Sequence, residues 1–381
     1  MRTRVVESIA RVGADDWNRA AGTGNPFVRH EFLAALESTG CASRESGWHP
    51  CHVLCESADG RELLGALPLY LKTNPYGEFV FDYAWAGAYQ RAGLSYYPKL
   101  VAAVPFTPAT GPRLLVPAGP QQAAVQSELI RGATHLSADT GASSVHLLFP
   151  HSTELPALRD AGLLLRKDCQ FHWENADYAD FDQFLAGFTS SKRKKTRRER
   201  RRVREAGIRY RVLSGRELSE ADWERIMVPY ASTFLMRGRE PYLDLAFFIE
   251  ISRTLPDSVL VFCAELDKEL VGVSICFRSD TTLYGRYWGA NRFIDSLHFE
   301  TCYYQGIDYC IAEGLQRFEP GTQGEHKIAR GFVPTETWSA HWLSHPQFAA
   351  AVDDYLERER EHIDEYMDVL SDHVPYKTAD R

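Results

Sequence analysis

Three features of this 381-residue chain occur twice and in the same order, and that repetition restricts its fold more than any single motif. Residues 52–70 (HVLCESADGRELLGALPLY) and 260–277 (LVFCAELDKELVGVSICF) share one pattern. Each is an apolar strand, a short polar turn and then Glu-Leu-(Leu/Val)-Gly opening a second apolar run, which reads as a β-hairpin. Tyr83, Trp85, Gly87 and Ala88 are echoed by Tyr287, Trp288, Gly289 and Ala290, each set read near the end of a strand. Gly162 precedes His172-Trp173 by ten residues, and Gly331 precedes His341-Trp342 by the same ten. Each glycine is read as ending a short helical stretch and each His-Trp as lying in a strand. The chain therefore reads as two copies of one α/β unit, residues 1–175 and 176–381.

In the second copy, strands are expected near 259–265, 271–278, 282–290, 316–320 and 335–343. A helix over 299–314 would place Phe299, Tyr303, Ile307, Cys310 and Ile311 on one side, the stripe of a helix packed on a sheet. The first copy carries an insertion at 86–117, rich in Gly, Pro and aromatic residues; ordered insertions of that length are often functional.

With 44% apolar residues the chain can build two cores, which excludes disordered, collagen-like and disulfide-scaffold classes. Its eight cysteines have no regular spacing and read as free thiols of a reducing compartment. His49, Cys51, His52 and Cys55 read as strand residues rather than a zinc site, and no metal is expected. Glu7 interrupts what a signal peptide would need, and no apolar run approaches the length of a membrane helix. A cytoplasmic location is expected.

The net charge of -8 hides a strong asymmetry. Residues 192–204 (KRKKTRRERRRVR) hold ten Lys/Arg against one Glu, a local +9, which leaves -17 for the rest of the chain. This basic helix (190–206) opens the second copy. An acidic amphipathic helix (346–372) closes it, with nine acidic and two basic residues. The basic segment has two readings: Lys192, Arg193, Arg197, Arg200 and Arg201 bind an anionic partner such as tRNA or anionic lipid, or the segment lies against the acidic helix.

The element order resembles the GNAT acyltransferase fold, and two tandem copies with a basic helix opening the second resemble the Fem-type transferases. The closest resemblance is to the FemAB-like family of predicted N-acyltransferases, often labelled peptidoglycan biosynthesis proteins. It rests on NPFVRHEFLAALE (25–37), GALPLYLKTNPYGEFVFDYAWA (65–86), YYPKLVAAVPFTPATGPRLL (96–115), SSKRKKTRRERRRVREAGI (190–208), and LYGRYWG through FEPGTQGEHKIARGFVPTETWSAHW (283–342). The resemblance implies mixed central sheets flanked by helices, and transfer of an acyl or aminoacyl group to an amine. It also implies acyl-CoA or aminoacyl-tRNA as donor co-substrate, with no bound cofactor. One departure concerns the donor: the loop that grips the coenzyme A pyrophosphate in GNAT enzymes reads NRFIDSLHF (291–299) here, without glycine.

Amide formation needs a proton acceptor for the attacking amine and donors facing the developing oxyanion. The densest suitable set is FEPGTQGEHKIAR, where Gly321 and Gly324 allow a tight turn at a strand end. Glu325 or His326 is the expected general base, with Glu300 as a further catalytic candidate and Gln323 and Lys327 as substrate contacts. Arg286, Tyr287 and His298 would face the same cleft. In the first copy Asp82, Tyr97, Lys99 and Arg113 are polar residues in apolar segments and are read as the acceptor site. Two further readings stay open: an aminoacyl-tRNA-dependent ligase acting on a peptidoglycan precursor, and a non-catalytic protein using this fold to bind nucleic acid or membrane.

Overall fold

The structure, a computed structural model, describes residues 1–322 and 324–377. The chain forms two compact units: residues 1–168 with 336–364, and residues 169–335 with the stretch from Glu365 onward. The break near 168 lies close to the expected 175, but residues 336–364 belong to the first unit, not the second. The two closing strands cause this. Val333–Leu343 ends against Ser144–Leu148 of the first unit, antiparallel, with Ser339 opposite Leu148 and Leu343 opposite Ser144. Leu164–Glu174 ends in the second unit, with Trp173 opposite Phe318 and Glu174 opposite Arg317. Each copy thus gives its His-Trp strand to the other copy's sheet. Sequence self-comparison aligns copies in chain order and says nothing of which sheet an aligned strand joins.

In the first unit, Trp48–Pro50, Tyr70–Lys72, Lys99–Ala102 and Ser144–Leu148 pair in that order, followed by the donated strand. Lys99–Ala102 and Ser144–Leu148 are parallel, so the chain must cross over between them, and the helix Gln122–Thr140 makes that connection. Its Val125, Leu129 and Ala133 share one core with Leu100, Val145, Leu147 and the donated Ala340. The hairpin His52–Glu56 and Leu63–Leu67 forms as expected, but it joins Arg2–Val6 in a separate three-stranded sheet. Tyr83–Arg91 is a helix, not a strand end, so the echo with Tyr287–Ala290 is one of residue types only. The reason lies in packing: Trp85 and Tyr89, one helical turn apart, bury together against Tyr96, Leu343 and Leu356, whereas a strand would set the two about 13 Å apart.

In the second unit the order is the end of Leu164–Glu174, then Arg317–Glu319, Thr282–Ala290, Glu269–Arg278, Val259–Leu266 and Arg209–Ser214. Strands fall where the apolar runs placed them. On one face the helices Glu220–Leu235 and Leu245–Thr254 meet the sheet closely, because a Cβ on Gly289 would stand 1.8 Å from the Pro229 carbonyl oxygen. On the other face lie the basic helix, Ser190–Glu205, and the helical stretch 297–313, whose Tyr303, Ile307 and Cys310 pack with Phe262 and Leu283. The acidic helix runs over Pro346–Ser371, and its Glu359 and Asp364 pair with Arg166 and Lys167 of the first unit.

Candidate active site

The strand Arg317–Glu319 runs parallel to Thr282–Ala290 with Glu319 beside Tyr284, and the chain then turns through Gly321 and Gly324 into a 3-10 helix, Glu325–Arg330. Gly324 has φ 115°, and the place of its missing Cβ is taken by the His326 ring, 2.3 Å from Cε1. Only glycine meets both demands. The loop therefore lays the imidazole back over its own backbone. Gln323 lies outside the described residues.

His326 is the exposed member of an aromatic group. Its Nε2 stands 2.8 Å from the Tyr303 hydroxyl, and the rings of Phe299 and His298 lie 5.7 and 5.9 Å away, centroid to centroid. Partial burial, with Arg330 and Lys327 nearby, holds the imidazole below its ordinary value, so it is neutral at pH 7. His298, more deeply set, is drawn down to about 4 by burial. The helix start at 297–304 thus presents the neutral His298 imidazole and the Tyr303 phenol to the loop that carries His326. Glu325 is exposed and accepts from the Tyr366 hydroxyl at 2.9 Å. Lys327 is only 2% exposed; its Nζ donates to the Gly321 carbonyl at 2.5 Å, and burial lowers it to about 7. It clasps the loop from inside.

The other second-unit residues divide. Arg286 lies near Lys327, and burial lowers the value of its guanidinium. Tyr287 points to the opposite face, edge-on to Tyr230 at 5.4 Å, and packs there. Glu300 is buried and takes Arg200 at 3.1 Å and the Gln305 amide at 2.7 Å, so its carboxylate secures the basic helix and does not face His326's surroundings as a free acid. Arg200 also reaches Asp308 at 2.5 Å, Arg197 pairs with Asp182 at 2.9 Å, and Arg193 donates to the Phe188 carbonyl at 3.3 Å. Arg201 stays mostly exposed, 3.7 Å from Glu205. Lys192 is half-buried at the helix start. Lys194, Lys195 and Arg198 are exposed with no ion partner among the described residues, and with Ser191, Arg197 and Arg201 they line one open depression of about 570 Å³.

The first-unit candidates do not form an open site. Lys99 is 0% exposed, held between Glu78 at 2.7 Å and Asp82 at 2.5 Å, and Asp82 also accepts from Tyr96 at 2.5 Å. Arg113 is equally buried; its guanidinium donates to the carbonyls of Leu148, Ala109, Gly111 and Pro112 and so braces the insertion. Tyr97 is half-buried, its ring centroid 5.5 Å from the Lys99 nitrogen. A polar residue in an apolar segment signals burial with a partner as readily as it signals function.

Two features escaped the sequence reading. Glu199, the single acid of the basic run, is buried, and its helical spacing from Thr196 and Val203 carried that signal. The His146–His341 contact, Nδ1 to Nδ1 at 2.6 Å, carried none.

The profile of the FemAB-like family, described as peptidoglycan biosynthesis/recognition, matches residues 8–378. The chain belongs to the FemAB-like family. The same architecture, at a similarity that speaks for the fold alone, occurs in FemX, with 12% identity, a TM-score of 0.53 and coverage of 93% of this chain and all of that one. It occurs also in the C-terminal domain of a putative lysylphosphatidylglycerol synthetase from Agrobacterium fabrum, with 11% identity, a TM-score of 0.52 and coverage of 90% and 96%. No curated protein matches. The FemAB-like fold is thus two tandem GNAT-like units in mixed sheets flanked by helices. Among the described residues of this FemAB-like chain, no helix is long and apolar enough to cross a membrane.

Proposed function

We propose that this FemAB-like protein is a transferase that moves an aminoacyl group from a charged tRNA to the amine of a peptidoglycan precursor, at the glycine-rich loop of its second unit. The observation that carries the reading is His326: an exposed, neutral imidazole held at 2.8 Å by Tyr303 on a loop that follows a strand end. In that role the imidazole takes the proton of the attacking amine. The new N–C bond forms as the ester C–O bond breaks, and the ribose hydroxyl leaves with a proton.

Two features favour the ester donor over a coenzyme A thioester. The stretch 291–296 has no glycine to bring backbone N–H groups close to a pyrophosphate. The basic helix offers Lys194, Lys195 and Arg198 outward, free of ion partners among the described residues, as a phosphate backbone would need. The family description, peptidoglycan biosynthesis/recognition, supports a cell-wall acceptor.

The test supplies purified protein with a mixture of radiolabelled aminoacyl-tRNAs and cell-wall nucleotide peptides, and reads the product by mass. Transfer that drops by about a hundredfold or more in His326→Gln supports the reading. Transfer from acyl-CoA with charged tRNA inert overturns the donor, and an unchanged rate in the variant removes His326 as base.

A further inference from the structure

Among ten cations in residues 192–204, the one acid points inward. Glu199 is 6% exposed and shares the inner stripe of its helix with Thr196 and Val203, each 1% exposed. Both its oxygens take the Arg330 Nη2, at 2.9 and 3.1 Å, and one also accepts from the Tyr304 hydroxyl at 2.5 Å. Arg330 closes the 3-10 helix of the loop. Its Nη1 donates to the His326 carbonyl at 2.6 Å, and its guanidinium carbon lies 3.3 Å from the centroid of Phe299. An unbroken chain of hydrogen bonds therefore runs from the basic helix to the backbone of the residue before Lys327.

Each link is of a strong kind. A carboxylate and a guanidinium, both buried, attract in a medium that screens little, and the flat guanidinium is fixed on one side by Phe299. The 3-10 helix has only six residues and few hydrogen bonds of its own, so its place depends on such outside anchors.

We propose that Glu199 is a positioning residue: through Arg330 it holds the His326 loop in fixed register with the basic helix. A polyphosphate chain seated on the outer face of that helix is thereby placed relative to His326. This rests on the reading of the loop as the reacting site, but the anchoring itself can be measured without any activity.

The experiment compares amide hydrogen exchange of the full chain and of Glu199→Gln, with and without uncharged tRNA at low salt. The glutamine keeps the size and an acceptor for Tyr304 and removes the charge. Exchange in residues 324–332 should rise about tenfold or more while Val259–Arg278 stays as it was. Glu199→Asp should restore part of the protection, and in Glu199→Gln bound tRNA should no longer slow the loop although its affinity is kept. Unchanged exchange in 324–332, or equal acceleration throughout the second unit, overturns the proposal. Should Glu199→Gln fail to fold, Arg330→Lys serves: it keeps a charge for Glu199 but cannot reach the His326 carbonyl as well, and the same selective rise is expected. Absence of tRNA binding by the wild-type chain would sink the donor reading alone, since the selective rise without tRNA stands or falls separately.

Discussion

His146 and His341 face each other through their Nδ1 atoms at 2.6 Å, although 195 residues separate them in the chain. One ring must donate and the other accept, so the two are in opposite tautomers. Their Nε2 atoms are taken by Ser144 at 2.7 Å and Ser339 at 2.8 Å. His341 reaches this place on the donated strand. Trp85 stands edge-on over it at 4.8 Å.

Acid should therefore weaken the first unit. Burial holds both imidazoles well below their ordinary value, so the folded chain leaves them neutral where the unfolded chain protonates them. The unfolded state then binds more protons, and stability is lost as pH falls below about 6.5, by up to about 1.4 kcal/mol per pH unit for each histidine. Urea unfolding at pH 7.5, 6.5 and 5.5 checks this. His146→Asn with His341→Asn should flatten the slope without abolishing it, because His172 and His298 are also held neutral by burial.

Arg113→Met should cost stability, on the order of 3 kcal/mol. The substitution leaves four carbonyls and the buried Glu154 without their cation, and Glu154 holds the backbone N–H groups of Arg113 and Leu114. A melting curve decides between bracing and acceptor binding: an unshifted melting temperature with weakened precursor binding would restore the acceptor role.

The acid limb of the transfer rate should sit low. Because His326 is held below its ordinary value by burial and by Arg330 and Lys327, the acid limb of kcat/KM should have its midpoint below that of a free imidazole. In His326→Gln that limb should vanish. A limb persisting in the variant would assign it to another group.

On the basic helix, outward and inward cations should behave differently. Replacing Lys194, Lys195 and Arg198 by Ala should leave the melting temperature unchanged and reduce the salt dependence of tRNA binding, by up to about 0.9 in log–log slope for each phosphate no longer neutralised. Arg200→Ala should instead lower stability, since it leaves the buried Glu300 without its cation and abandons its stacking on Phe181, 4.1 Å away.

Much of the second unit was legible. Apolar runs with turn residues between them are set locally, and Val259–Leu266, Glu269–Arg278 and Thr282–Ala290 fall where those runs lie. The glycine-rich loop was legible as a turn at a strand end. What escaped was decided by contacts distant in sequence. Tyr83–Arg91 became a helix because Trp85 and Tyr89 pack side by side against Leu343 and Leu356, far along the chain. Lys99, Asp82 and Arg113 looked like site residues because their partners, Glu78, Tyr96 and the carbonyls of 109–148, are found only once the chain is folded.

The exchanged closing strands set an order on the ribosome. Domains generally fold as units while the chain emerges, N-terminal first. Here the first unit lacks the neighbour of Ser144–Leu148 until Glu336–Leu343 has been made, near the end of synthesis. A chain stalled at residue 175 would therefore carry an open sheet edge and no partner for the His146 Nδ1, and neither unit can be finished much before the other.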